Sequence, residues 1–271
     1  MPEAAYQKIN TLLEERFGIH FPDYRRIVLE NRLQARLQAL DLNCFEEYCE
    51  HLTRDEAELE RFVSAVTNNE THFFRAREQL DTLFGAGLDV LRDGLVLDDR
   101  VRILSAACSS GEEPYSIAFC ASEARLALQG LEVHVDAFDI DRERLQFAES
   151  GACSRRSAQM LSPQQAARYL DKEADRVMIR AEFRKRVRFS WGNLIDARTF
   201  APSMPYDAVF CRNALIYFSP TAQRRAIDNL ASVLRPGGLL FLGHAESGVG
   251  ALPNLETVRI GNCLAYRRVR T

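Results

Sequence analysis

Apolar residues in the first seventy positions recur at helical spacing. The first apolar stripe consists of Tyr6, Ile9, Leu13 and Phe17. Gly18 follows this stripe as a helix stop, and Pro22 can occupy the first turn of a second helix that runs towards Leu40. The stripe of that second helix consists of Leu29, Leu33, Leu37 and Leu40. Further apolar positions between Phe45 and Val66 predict more helices, so we expect this part of the chain to be helical.

The pattern changes near Val101, where short apolar runs begin to alternate with helical stretches. The predicted strands are 101–107, 133–139, 187–190, 206–211 and 239–243. Helices are predicted from Glu112, over 142–150 and over 220–234, and a turn follows at Pro236–Gly238. This alternation is typical of βαβ units and a mainly parallel sheet. Residues 255–258 and 263–267 can pair as an antiparallel edge.

One long stretch interrupts the alternation. Residues 151–186 are too many for a simple connection, and Ser162-Pro163 begins what looks like a separate helix. An inserted subdomain is therefore expected there. We divide the chain into a helical domain with its linker, 1–85, and a sheet domain, 86–271, which carries the insertion at about 151–186.

The composition adds limits to this picture. Hydrophobic residues make up 46% of the chain and the formal net charge is -3, so we expect a large core and no basic field for nucleic acid. Residues 151–190 carry ten basic and four acidic residues, a local excess that can attract an acidic partner. The seven cysteines have no metal-ligand spacing, which is typical of reduced thiols in the cytosol. Neither a secretory signal nor a membrane-spanning run is expected.

Small residues follow the first predicted strand and form a candidate ligand-binding turn. The turn reads Ala106-Ala-Cys-Ser-Ser-Gly-Glu-Glu-Pro-Tyr-Ser116 and leads directly into a helix N-terminus. Open α/β sheets bind ligands outside the carboxyl ends of their strands. The pattern G-x-G-x-x-G is missing, which argues against a dehydrogenase. Glu112 either attracts a ligand ammonium group or simply favours the helix dipole.

Two acidic residues end the second predicted strand, Asp139 and Asp141. A carboxylate at such a strand end commonly accepts hydrogen bonds from ribose hydroxyl groups. Aspartate is also a frequent N-cap of helices. We assign ribose binding to Asp139 and capping of the next helix to Asp141. Together with the small-residue turn, this pattern indicates an adenosine-containing ligand.

Polar side chains also follow the third and fourth core strands. Asn193 and Asn213 suit an adenine edge or an amino-acid group, although asparagine is equally common in plain turns. Tyr217 belongs either to an apolar wall of the site or to the core. Before the sheet, Thr71 and Arg75 share one face if this stretch is helical, and the guanidinium either pairs with a ligand carboxylate or faces solvent.

Five motifs together resemble the chemotaxis receptor methyltransferase family, CheR. They are Thr67-Asn-Asn-Glu-Thr-His-Phe-Phe-Arg75, the turn 106–116, Asp139-Ile-Asp141, Cys211-Arg-Asn-Ala-Leu-Ile-Tyr-Phe218 and Leu234-Arg-Pro-Gly-Gly-Leu-Leu-Phe-Leu-Gly-His-Ala-Glu-Ser247. They occur in the family's order. The resemblance implies an α/β fold of the class I S-adenosylmethionine methyltransferase type, Rossmann-like, with an N-terminal all-α domain and a small inserted β-subdomain.

The resemblance also implies the residues of the site. The cofactor S-adenosylmethionine, and its product S-adenosylhomocysteine, would contact Asn69, Thr71, Arg75, Glu112, Asp139, Asn193, Leu194, Arg212 and Asn213. A basic second helix would face the acidic methylation helices of the receptor through Arg25, Arg26, Arg32 and Arg36. Tyr217 and Arg92 are the candidates for a further catalytic residue. Residues 171–179 lack the Gly-rich insertion of peptide-tethered members, which favours direct docking without a tether.

The implied reaction esterifies glutamate side chains of cytoplasmic receptor segments. We therefore expect a cytoplasmic monomer that is peripheral to the membrane only through the receptor. A glutamate carboxylate has a reference pKa of about 4.3 and is ionised near neutral pH, so no general base is required. Two alternatives stay open: a methyltransferase for a small molecule or RNA, and an adaptor that binds cofactor and receptor without transferring methyl groups.

Overall fold

The computed structural model describes residues 1–92, 100–173, 176–200, 204–246 and 252–270. Two parts of the sequence patterns above lie outside the described residues. They are Ala174 and Asp175, within the stretch 171–179, and Ser247, which ends the last motif.

Four helices form the N-terminal part. They are α1 (Glu3–Phe17), α2 (Arg26–Ala39), α3 (Phe45–Leu52) and α4 (Glu56–Val66). Gly18 ends α1 with φ 76°, a left-handed conformation that glycine adopts without strain. A 3-10 turn at Asp23–Arg25 precedes α2, so Pro22 lies before this turn and outside the α-helix. The apolar stripes of the helices meet in their own core, in which Tyr6, Leu33 and Phe62 are fully enclosed.

The remainder of the chain contains the strands. Those of the described residues are β1 (Arg100–Ala106), β2 (Glu132–Asp139), β3 (Ala152–Cys153), β4 (Leu170–Glu173), β5 (Arg176–Ile179), β6 (Val187–Trp191), β7 (Tyr206–Cys211), β8 (Leu234–Leu242), β9 (Leu255–Ile260) and β10 (Cys263–Arg268). Seven of them form one sheet with the order β6-β2-β1-β7-β8-β10-β9. The first five strands of that order are parallel, whereas β10 runs antiparallel to β8 and β9. The class I methyltransferase fold that the resemblance implied is confirmed.

Helices cover both faces of this sheet. The α-helices that follow α4 in the described ranges are α5 (Arg77–Thr82), α6 (Leu88–Arg92), α7 (Glu112–Glu123), α8 (Arg125–Leu128), α9 (Arg142–Ser150), α10 (Arg155–Gln159), α11 (Pro163–Tyr169), α12 (Ala181–Arg184) and α13 (Pro220–Val233). One core lies beneath α7 and includes Ile117 and Phe119, and the other lies beneath α13 and includes Ile227 and Leu230. No helix in the described ranges is long and apolar enough to cross a membrane.

The insertion forms a small antiparallel sheet with the order β3-β5-β4. Its helix α11 begins where the sequence predicts, because Ser162 and Gln165 form a capping box ahead of Pro163. Tyr169 stacks on Phe119 of α7 with ring centroids 4.1 Å apart, which fixes the insertion against the main domain.

The turn predicted at Pro236–Gly238 lies within a strand. Leu234 pairs with Tyr206, but Leu239 pairs with Ala208, so β8 bulges between these two points. The strand therefore begins five residues earlier than the apolar run alone predicts, because pairing with β7 starts before the bulge.

Candidate functional site

A cavity opens at the carboxyl ends of β1, β2, β6 and β7, between the sheet and the N-terminal helices. About 1100 Å³ of unfilled space, part of it open solvent, lies between its walls. Its walls come from the ends of α1 and α4, the turn before α2 and the turns that follow these four strands. The predicted cofactor residues that line it are Asn69, Thr71, Arg75, Asp139, Asn193, Leu194, Arg212 and Asn213.

The small-residue turn brings the chain after β1 close to the end of β2. Ala107 and Ser109 have φ values of 59° and 50°, in the left-handed region that non-glycine residues rarely adopt. Gly111 has φ 93°, and a Cβ there would lie 2.9 Å from the Cβ of Ala148. The turn is therefore tightly constrained, and it leads directly into α7.

Asp139 lies at the centre of this arrangement. Its carboxylate accepts hydrogen bonds from the backbone N–H of Ser109 at 2.6 Å and of Asp141 at 2.9 Å. Burial raises the pKa of Asp139 to about 6, although these backbone hydrogen bonds act in the opposite direction. A carboxylate has about four acceptor sites, so it retains capacity for the two hydroxyl groups of a ribose.

Asp141 caps α9, as predicted, and also links the two parts of the chain. Its carboxylate accepts from the backbone N–H groups of Glu143 and Arg144 at the start of the helix. It further accepts from the hydroxyl of Ser64 at 2.6 Å and from the side-chain amide of Asn69 at 2.7 Å. The Asp141 carboxylate thus holds the end of α4 and the predicted cofactor residue Asn69 against the sheet.

The two glutamates after Gly111 differ in position. Glu112 is buried and accepts hydrogen bonds from the hydroxyls of Ser110 and Ser157, so it contacts the insertion and does not line the cavity. Glu113 does line the cavity. Glu113 belongs to the same sequence motif as Glu112, but the sequence alone does not determine which of these two adjacent helical side chains faces the cavity.

Asn193 and Leu194 follow β6. The Asn193 amide donates to the carbonyl of Arg16 at 2.8 Å and its oxygen accepts from the N–H of Ile195 at 3.1 Å, so the side chain fastens the turn to α1. Leu194 is buried in the cavity wall. Phe17 and Phe21 complete this wall from the helical part. Neither was predicted as a site residue from the sequence: Phe17 belongs to the apolar stripe of α1, which predicts only a core position.

Arg212 and Asn213 follow β7 in the part of the loop that faces the cavity. The Arg212 guanidinium pairs with Glu113 at 2.6 Å and donates to the carbonyl of Arg75 at 2.8 Å. Asn213 has φ 63°, a left-handed conformation that asparagine tolerates better than most residues. Thr71 and Arg75 also line the cavity, and Arg75 donates to the carbonyl of Glu70 at 2.9 Å.

The four arginines predicted to face the receptor separate into two pairs. Arg25 and Arg32 line the cavity, and no described carboxylate forms an ion pair with either. Burial, and then the nearby guanidinium of Arg25, lower the pKa of Arg32, which donates instead to the carbonyl of Thr67 at 3.3 Å. Arg26 pairs with Glu3, and Arg36 pairs with the fully buried Glu58, both outside the cavity wall.

Tyr217 lines the cavity, but Arg92 does not. The Tyr217 hydroxyl accepts a hydrogen bond from the amide of Asn68 at 2.5 Å, and Arg25 lies over the Tyr217 ring at 5.6 Å from its centroid. Arg92 lies at the end of α6 and donates to the carbonyl of Ala127 at 2.7 Å. Of the two catalytic candidates, only Tyr217 is therefore close to the predicted cofactor residues.

Comparison with known families identifies both parts of the chain. The profile of the CheR methyltransferase SAM binding domain matches residues 69–259, and the profile of the CheR methyltransferase all-alpha domain matches residues 4–67. The predicted cofactor, S-adenosylmethionine, is confirmed, and so is the prediction that the chain is a methyltransferase that depends on it.

Curated relatives give the same result. A chemotaxis protein methyltransferase of Salmonella typhimurium is 38% identical over 91% of this chain and 85% of its own length. Chemotaxis protein methyltransferase 2 of Vibrio cholerae is 36% identical over 86% of this chain and 82% of its own length. The probable biofilm formation methyltransferase WspC of Pseudomonas aeruginosa is 32% identical over 96% of this chain and 61% of its own length.

Proposed function

Because the chain belongs to the CheR methyltransferase family, we propose that it transfers the methyl group of S-adenosylmethionine to glutamate side chains of chemotaxis receptors. The products are glutamate methyl esters and S-adenosylhomocysteine. The acceptors are the cytoplasmic methylation helices of the receptor, so the reaction takes place in the cytoplasm and the chain reaches the membrane only through the receptor. We further propose that it acts as a monomer and docks directly, without a C-terminal peptide tether.

The observation that carries this proposal is the charge arrangement of the cavity. Arg25 and Arg32 line the same cavity as Asp139, and neither guanidinium has a carboxylate partner among the described residues. Arginine stays protonated in proteins, so the two side chains leave positive charge in the cavity wall. An anionic acceptor side chain compensates this charge, whereas a neutral acceptor does not.

Other residues that line the cavity suit the cofactor. Asp139 offers acceptor sites to ribose hydroxyl groups, and Leu194 and Phe138 supply apolar surface beside it. Asn69, Thr71, Arg75, Asn193, Arg212 and Asn213 provide the surrounding polar groups. At this helix end Glu113 lines the cavity, whereas the predicted Glu112 does not, so we propose Glu113 for the cofactor contact that was predicted for Glu112.

The chemistry divides between the cofactor and the protein. When bound, S-adenosylmethionine supplies an electrophilic methyl group. The acceptor carboxylate is already ionised near neutral pH, so the protein needs no general base. Arg25 and Arg32 orient the carboxylate, Tyr217 limits its approach from one side, and the helical domain reduces the access of water. Alignment of two reactants in this way can lower the activation free energy by on the order of 7–11 kcal/mol.

Transfer of labelled methyl groups to purified receptor fragments tests the proposal. We expect label on fragments that keep their acceptor glutamates, and loss of this label in fragments whose acceptor glutamates are replaced by alanine. Label that persists on the alanine fragments would contradict glutamate as the acceptor. Label on an unrelated protein or on RNA would favour the corresponding alternative substrate.

A further inference from the structure

Glu246 is a buried carboxylate outside the cavity wall, in the 3-10 turn His244–Glu246 that follows β8. It accepts hydrogen bonds from three backbone N–H groups. Oε2 accepts from Asn213 at 2.7 Å and from Gly243 at 2.9 Å, and Oε1 accepts from Ile216 at 3.2 Å. The carboxylate therefore joins the end of β8 to the loop that follows β7.

The loop needs an acceptor at this place. Ile216 lies in the first turn of the 3-10 helix Leu215–Tyr217, where N–H groups have no partner within the helix. Asn213 has a left-handed backbone, a conformation that persists only where the surrounding contacts hold it. A carboxylate is a strong acceptor for such N–H groups because its hydrogen bonds are charge-assisted.

Gly243 allows the carboxylate to reach the loop. A Cβ at this position would lie 2.5 Å from Oε2 of Glu246 and 3.1 Å from the backbone nitrogen of Asn213. Any larger residue would have to displace one of these two groups. The absence of a side chain at Gly243 thus leaves the space that the Glu246 carboxylate occupies.

We propose that Glu246 is a positioning residue, which holds the loop 212–218 so that Asn213 and Tyr217 face the cavity. This inference rests on the proposed role of Asn213 in cofactor binding and does not depend on the identity of the methyl acceptor. Glu246 does not itself line the cavity, so it acts through the loop.

The test is the affinity for S-adenosylhomocysteine, measured by calorimetry well below the melting temperature of each variant. Glu246→Gln keeps the size of the side chain but turns an NH₂ group towards N–H donors of the loop. We expect the dissociation constant to rise about tenfold or more, the factor that corresponds to one lost hydrogen bond to a charged group.

Asp207→Asn is the matched control. Asp207 is also buried and accepts a backbone N–H, from Arg102 at 2.7 Å, and it pairs with Arg235 at the opposite end of β7. This variant should lower the melting temperature without changing the affinity. An equal rise of the dissociation constant in both variants would overturn the proposal, because a general loss of stability would then explain it.

Gly243→Ala tests the same contacts, because the added Cβ would displace the Glu246 carboxylate or the backbone of Asn213. We expect weaker binding in this variant, and only a small additional loss when it is combined with Glu246→Gln, because both changes disturb the same contacts. If Glu246→Gln does not yield folded protein, Gly243→Ala gives the same readout. An affinity within twofold of the unaltered chain in the folded Glu246→Gln variant, or fully additive losses in the double variant, would refute the positioning role.

Discussion

Arg212 and Glu113 form a buried ion pair in the wall of the cavity, with 2.6 Å between Nε and Oε2. The side chain of Arg212 is 2% exposed and that of Glu113 is 13% exposed. The hydroxyl of Ser105 donates to the same glutamate at 2.7 Å, and Arg212 also donates to the side chain of Gln79 at 3.2 Å. The pair therefore joins the loop after β7 to α7 and α5. Arg212 thus stabilises the packing of these three segments, besides its predicted contact with the cofactor.

Removal of one partner of this pair should be strongly destabilising. We expect Arg212→Ala to lower the free energy of unfolding by about 3–5 kcal/mol, because it leaves the Glu113 carboxylate buried and unpaired. Urea unfolding of Arg212→Ala, Glu113→Gln and the double variant measures this coupling. The double variant should lose clearly less than the sum of the single losses, and additive losses would mean that the two side chains do not act as a pair.

The raised pKa of Asp139 predicts a pH dependence of cofactor binding. The ionised carboxylate accepts hydrogen bonds at all of its sites, whereas the protonated form uses one oxygen as a donor. Affinity for S-adenosylhomocysteine should therefore fall as the pH decreases through about 6, the pKa of Asp139 in the free protein. Calorimetric titrations between about pH 5 and pH 8 measure this dependence, which should be lost in Asp139→Asn.

The same group affects stability in the opposite direction. A carboxyl whose pKa is raised on folding binds its proton more tightly in the folded state, so its contribution to stability falls as the pH rises from about 4 to about 6. Asp139→Asn should remove this part of the pH dependence. An Asp139→Asn variant with the binding affinity and the pH profile of the unaltered chain would contradict the ribose assignment.

Asp141 offers a comparison between two helix caps. Asp141→Ala should lower the free energy of unfolding by about 2–4 kcal/mol, since it removes a cap worth about 1 kcal/mol and the acceptor for Ser64 and Asn69. It should also weaken cofactor binding, because Asn69 lines the cavity. Asp55→Ala, which removes the cap of α4, should cost less stability and leave binding unchanged. Equal effects of the two variants on binding would contradict the linking role of Asp141.

The separation of the arginines predicts unequal effects on methyl transfer. Arg25→Ala should lower kcat/KM for receptor fragments about tenfold or more, because the attraction between close charges at a partly exposed site is on the order of 1–4 kcal/mol. Its affinity for S-adenosylhomocysteine should be unchanged. Arg26→Ala should have a much smaller effect, since Arg26 pairs with Glu3 outside the cavity. Similar losses in the two variants would indicate that the whole basic helix face contacts the receptor.

Much of the fold could be predicted from local patterns. The stripe that contains Leu33, the helix stop at Gly18 and the alternation after Val101 depend on neighbours in the sequence, and each corresponds to an observed element. The bulge in β8 could not be predicted in this way. It depends on the register between β7 and β8, which is a property of two distant segments.

The site shows the same division. Asp139 and Asn213 could be located because the carboxyl ends of parallel strands meet at one edge of a sheet. The inward direction of Glu113, and the use of Arg36 to neutralise buried Glu58, could not be read from the sequence. Both depend on the exact rotation of a helix against its neighbours, which tertiary packing decides.

The most direct test of the account is the chemical form of the transferred methyl group. The chain is incubated with labelled S-adenosylmethionine and receptor cytoplasmic fragments, and mild base is added afterwards. We predict label on the fragments that base releases as methanol, as a carboxyl methyl ester requires. Label that resists base, or cofactor binding without any label on the receptor, would contradict methylation of receptor glutamates.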